Sequence, residues 1–168
     1  MTDKLVLYLY ESWNYLDGAL AGLTREEATT QHDGGSSFAW TVGHVTTMVD
    51  SWINTNFQGL PPHPFISGGR FGIGGTGACD EWEEILVATG EVREKARAFL
   101  DSGPPIDRVI PYAGSIEFLR ETGLRLSYAL LRIASHHFIH GGEIVAARSL
   151  LGHDTDSLFG PDWGRPLA

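Results

Sequence analysis

The chain has one cysteine, Cys79, so it cannot form an internal disulfide, and a reducing compartment suits it. It is also poor in basic residues, with 12 Lys and Arg against 21 Asp and Glu, a formal charge of −9. The few cations are scattered, which argues against a nucleic-acid partner, because phosphate binding needs clustered Lys and Arg. No apolar run approaches the ~20 residues of a membrane span. The opening residues reach Glu11 too soon for a signal peptide, so a cytoplasmic location is expected. With 168 residues and 42% hydrophobic content, the chain is expected to fold as one domain. That domain spans residues 1–152, and a tail, 153–168, is expected to pack on it through Leu158, Phe159 and Trp163.

Four helices can be read from apolar spacing. In the first, residues 3–23, Val6, Leu9, Trp13, Leu16, Leu20 and Leu23 recur at steps of three and four. Thr24-Arg25-Glu26-Glu27 offers a capping box for one further turn. Ser36 and Ser37 offer an N-cap for a second helix over 38–58. The third helix covers 80–101, with Asp80 as N-cap and Glu83 completing a capping box. The fourth covers 122–151 and stops at Gly152. Between the second and third helices, prolines and glycines fill residues 59–78 and exclude a regular element. Gly72 to Gly77 is too weak a match for a phosphate loop, since no Lys-Ser/Thr follows it, so a long crossover or lid is expected. Residues 106–119 predict two short extended pieces broken at Pro111 and Gly114. The fold class expected is all-α: a four-helix bundle with a long crossover and a short extended segment before the last helix.

Three of the seven histidines fall within five residues of the fourth helix. With His136 at zero on a helical wheel, His140 lies at ~40° and His137 at ~100°. Ala129, Ile133, Ile144, Ala147 and Leu151 fall between ~20° and ~80°, so His136 and His140 share the core-facing stripe. Imidazoles four apart are close enough to hold one metal ion, although each position also fits a hydrogen-bonded core histidine. His44 lies in the row Trp40, His44, Met48, Trp52 of the second helix and carries the same two readings. If helices two and four face each other, His44, His136 and His140 make an open divalent site, with Zn²⁺ or Ni²⁺ favoured. Glu143, at about −20°, is placed to orient a ligand histidine or relay a proton, and the position equally fits a capped or solvated carboxylate. His32 and His63 read as solvated loop side chains, and Cys79 as a partly buried loop thiol rather than a nucleophile.

Two stretches resemble a known family. Ser37-Phe38-Ala39-Trp40-Thr41-Val42-Gly43-His44-Val45 is similar to its second-helix signature, and His136-His137-Phe138-Ile139-His140-Gly141-Gly142-Glu143 to its fourth-helix signature. Over residues 5–151 the chain resembles the DinB-like superfamily of metal-dependent enzymes, which includes bacterial low-molecular-weight-thiol transferases. The resemblance implies a metal held by His44, His136 and His140, a thiol cofactor activated for S-transfer to a small-molecule substrate, and a homodimer. Hydrolysis by metal-bound water, or a non-catalytic metal-binding bundle, are the alternatives. The chain departs from the pattern at Gly141, where many members have Arg, and in its Pro/Gly loop; His137 matches no ligand position. A dimer would use the apolar stripe Leu131, Phe138 and Val145, on the wheel away from the histidines, unless residues 106–119 or the tail cover it.

Overall fold

A computed structural model describes residues 3–32 and 34–154. The tail side chains Leu158, Phe159 and Trp163 lie outside the described residues. The fold is all-α apart from one small two-stranded sheet. Helix α1 (Lys4–Leu20) starts where the Asp3 carboxylate accepts from the Leu5 N–H, which satisfies an amide that the helix itself leaves free. Its end comes three residues earlier than the apolar spacing predicts, at Leu20, with Gly22 in the left-handed region. Thr24 and Glu27 form the expected capping box on the short helix α2 (Arg25–Thr29).

Ser37 caps α3 (Phe38–Val49), its side chain accepting from the Trp40 N–H. The same rod continues to Phe57 with the wider winding of a π-helix (Asp50–Phe57). Two polar residues of that segment face inward, and both are bonded. Asn54 donates to the Val92 carbonyl, and Asp50 accepts from the His63 N–H.

Residues 58–81 form the long crossover, without helix or strand. His63 is not solvated as expected. It is buried, its Nδ1 accepting from the Phe65 N–H and its Nε2–H donating to Glu91. The crossover delivers the chain to α4 (Trp82–Asp101), whose expected capping box is absent. Glu81 occupies the N-cap position, and its carboxylate instead pairs with Arg70 of the crossover.

The segment before the last helix also differs from expectation. Strand β1 (Val109–Ile110) is followed by helix α5 (Glu117–Thr122), not by a second extended piece. Gly123, at φ 79°, ends α5 in a conformation that disfavours side chains and releases β2 (Leu124–Arg125), which pairs antiparallel with β1. Helix α6 (Leu126–Leu150) therefore begins four residues later than predicted.

Helix α6 packs along α1 on one side and α3 on another, and α3 also packs on α4. The core between them holds Leu9, Trp13, Leu16, Ile53, Ile85 and Ile133. Phe138, expected on a free stripe, is covered by α1: its ring lies 5.2 Å from that of Tyr8 and 5.4 Å from that of Tyr15. Gly141 makes that packing possible, because a Cβ there would run into the Tyr15 ring. One helix end is closed from a distance. The buried Arg148 of α6 donates to the carbonyls of Ala19 and Ala21 at 2.6 and 2.8 Å, supplying the cation that α1 lacks in its own last turn.

Candidate metal centre

The packing of α3 on α6 brings His44, His136 and His140 together. One ring nitrogen from each lies within 4.8 Å of the others. The rings meet at 4.6–5.1 Å between centroids and at 70–88° to one another, so they converge edge-on around a point instead of stacking. His44 is itself stacked on Trp40, one turn earlier on α3, at 5.0 Å and 10°.

Hydrogen bonds fix which nitrogens face that point. His44 Nδ1 lies 2.7 Å from the Phe71 carbonyl; a carbonyl only accepts, so Nδ1 carries a proton, and in the neutral ring Nε2 is the nitrogen with the lone pair. His140 Nδ1 donates likewise to the Glu143 carboxylate at 2.6 Å. The His136 and His140 Nε2 atoms are 3.0 Å apart. His136 Nδ1 is buried with no hydrogen-bond partner among the described residues. Burial, and then the neighbouring His140 and His44, push the His136 pKa down to about 4. At neutral pH its ring is neutral, the form a metal would require of it.

These residues suit a divalent cation. Tetrahedral nitrogen donors at ~2.1 Å from zinc stand roughly 3.4 Å apart. The observed spacings bracket that value, from 3.0 Å for the helical pair to the 4.8 Å outer limit. Imidazole nitrogens also match the donor preference of Zn²⁺ and Ni²⁺. Carboxylate and carbonyl acceptors behind two of the rings are the outer partners usual for metal histidines.

The other candidates separate from this cluster. His137 is fully buried, its Nδ1–H given to the Ile133 carbonyl, and burial lowers its pKa to about 3. It is a core histidine. His32, expected to be solvated, is partly buried: it bonds the Glu27 carbonyl, and its ring packs 5.4 Å from that of Phe38. Cys79 is wholly rather than partly buried, and burial raises its pKa, the opposite of an activated thiol. His153, first residue of the tail, pairs with Glu27.

A pocket of about 360 Å³ opens beside the cluster, lined by His32, Ser36, Phe38, Trp40, His140 and Glu143 among others. Phe38 and Trp40 at the α3 N-terminus give it apolar lining, and of the three clustered histidines His140 lines it. Sequence reasoning missed the Phe71 carbonyl, a backbone atom that no side-chain pattern marks. Trp40 had a signal, since it stands four residues before His44 on the same helical row.

Comparison with known proteins agrees with these observations. No curated protein and no solved structure matches the chain. A family model described as the DinB superfamily matches residues 8–144, which include the three histidines, the whole of the rod that carries His44, and α6 as far as Ile144. The chain belongs to the DinB superfamily.

Proposed function

We propose that the protein is a metal-dependent enzyme in which His44, His136 and His140 hold a divalent ion, Zn²⁺ or Ni²⁺, and that it transfers a low-molecular-weight thiol to a small-molecule substrate. The observation that carries this reading is the convergence of three ring nitrogens, with Nδ1 of His44 and of His140 already engaged elsewhere. When bound, the ion supplies Lewis acidity, which favours the deprotonated form of a thiol near neutral pH. The protein's own groups do the rest. Glu143 holds His140 in the ligating tautomer, and its exposed carboxylate borders the pocket, where it can take up a proton released from substrate or thiol. Phe38, Trp40 and Ile144 give the substrate an apolar wall and exclude water on one side. In this reading the four long helical rods form a bundle, the crossover lies over one end of the site, and the enzyme works in the cytoplasm.

Glu143 also favours a second reading, hydrolysis, because a carboxylate beside a metal site is equally placed to accept a proton from water. A Co²⁺-substituted sample distinguishes the two. Thiol transfer predicts that a small thiol changes the visible spectrum through sulfur coordination. An unchanged spectrum at saturating thiol, together with measurable ester hydrolysis, selects hydrolysis. Absence of both activities in a metal-loaded protein selects a binding role.

The same reading includes a homodimer, with a contact different from the one the wheel predicts. Phe138 is taken up by α1, but Leu131 and Ile139, on α6, are 46% and 59% exposed, with Tyr8 of α1 nearby at 40%. Ile139→Glu is expected to give a folded, metal-loaded monomer by light scattering, whereas an unchanged dimer mass would exclude this face.

A further inference from the structure

The crossover is fastened to the metal site at its most crowded point. Phe71 is fully buried and packs against α3 at Gly43, where a Cβ would fall inside the Phe71 ring. The seat leaves the Phe71 carbonyl 2.7 Å from His44 Nδ1. The residue before it is held as well: the Arg70 carbonyl accepts from Trp40 Nε1–H at 3.1 Å, and Trp40 is the ring stacked on His44. The Arg70 guanidinium lies over the rings of Phe65 and Phe71 and pairs with Glu81 at the entrance to α4. At its start the crossover is tied down again, where the His63 N–H meets Asp50 and the His63 ring meets Glu91. Between these ties Gly68, Gly69 and Gly74 adopt positive φ, so the segment reaches this path through turns that other residues resist.

We propose that the crossover is a positioning device for His44: seating Phe71 on Gly43 selects the Nδ1–H tautomer and turns Nε2 toward His136 and His140. This inference rests on the metal reading above. A ring freed from the carbonyl can place its proton on either nitrogen, and the Nε2–H form cannot ligate from the atom that faces the site. Because binding and closure draw on the same contact, they are coupled in both directions. Metal stabilises the seated crossover, and loosening the crossover weakens metal binding. Outer partners of metal histidines typically alter affinity 10- to 100-fold, and a comparable loss is expected here.

Gly43→Ala tests this directly, since it crowds Phe71 while adding a better helix former to α3. A second variant, Phe71→Gly, removes the seated ring without touching α3. Three readouts on metal-free and metal-loaded protein decide the matter. Long-range ¹H–¹⁵N spectra of the metal-free protein should show His44 as the Nδ1–H tautomer in the wild type and as a mixture in the variants. Calorimetric titration with Zn²⁺ should show affinity 10- to 100-fold weaker in both variants. Tryptic cleavage at Arg70–Phe71 should slow when Zn²⁺ is added to the wild type, and should not slow in His136→Ala. An Nε2–H tautomer in the wild type, or full Zn²⁺ affinity in folded Gly43→Ala or Phe71→Gly, would overturn the proposal. If Gly43→Ala does not fold, as judged by circular dichroism, Phe71→Gly and the wild-type tautomer decide alone. A wild type that binds neither Zn²⁺ nor Ni²⁺ sinks the metal reading itself, which is a separate outcome from metal binding that ignores the crossover.

Discussion

His136 and His137 are neighbours in sequence, both lie on α6, and both have pKa values pushed down by burial, yet they point to different surroundings. The ~100° between them on the helix is the cause. His136 faces α3 and meets two more imidazoles, while His137 turns into the core and spends its Nδ1–H on the carbonyl one turn back. In this dense run, the two histidines spaced four apart are the ones whose rings meet. Replacing His136 or His140 with Ala should remove most of the bound metal from protein purified without a histidine tag, measured by elemental analysis. His137→Ala should retain metal but lose stability, by roughly 1–3 kcal/mol for the vacated core space. Equal metal loss in all three variants would mean that the ligand set is wrong. Glu143 lies one turn beyond His140, and the same helical arithmetic that paired the histidines brings its carboxylate onto His140 Nδ1.

At the level of elements, the sequence was most legible where the signal is local. The Ser37 cap, the Thr24–Glu27 capping box and the start of α1 depend on residues within one turn, and all three are where the pattern predicts. The start of α4 was misread because Glu81 is claimed by Arg70, eleven residues earlier, a tertiary partner that no local rule contains. The same holds for residues 106–119. Their apolar, β-branched content reads as strand, but only β1 found a partner, Leu124 and Arg125, and the intervening chain took up helix α5. The burial of His63 and the π-helical winding after Val49 also depend on packing across the chain. Arg148 is a further case of an element finished by a distant one. Arg148→Met keeps the volume but removes two charged hydrogen bonds to the end of α1. The expected cost is about 2–3 kcal/mol, since bonds from charged donors contribute more than neutral ones. For a chain of this size that lowers the melting temperature by roughly 4–12 °C. An unchanged melting temperature would show that water closes the α1 end as well as Arg148 does.

Across the whole molecule, two histidines whose pKa values are lowered by burial tie stability to pH. His137 has a folded pKa of about 3 against an ordinary 6.5, so below pH 6.5 the unfolded chain takes up a proton that the folded chain refuses. Stability is therefore fully present above pH 6.5 and falls as the pH is lowered toward 3. The limiting slope from one such group is about 1.4 kcal/mol per pH unit. His136, with a folded pKa of about 4, acts in the same direction, more weakly because its ring is partly exposed to solvent. The carboxylates with lowered pKa values behave differently. Glu27, held at about 2 by the Thr24 amide and hydroxyl and by His153, and Glu81, lowered by Arg70, start from 4.5. Their contribution is lost only as the pH falls below 4.5, so these two carboxylates stay out of the interval from 6.5 to 4.5 in which His137 and His136 act. Urea unfolding of metal-free protein, with chelator present, should give midpoints that drop steadily across that interval. His137→Leu, which fills the space with an apolar group of similar size, should flatten most of the dependence. If wild type and His137→Leu give parallel midpoints from pH 6.5 to 4.5, the core histidine is not the source of the acid sensitivity.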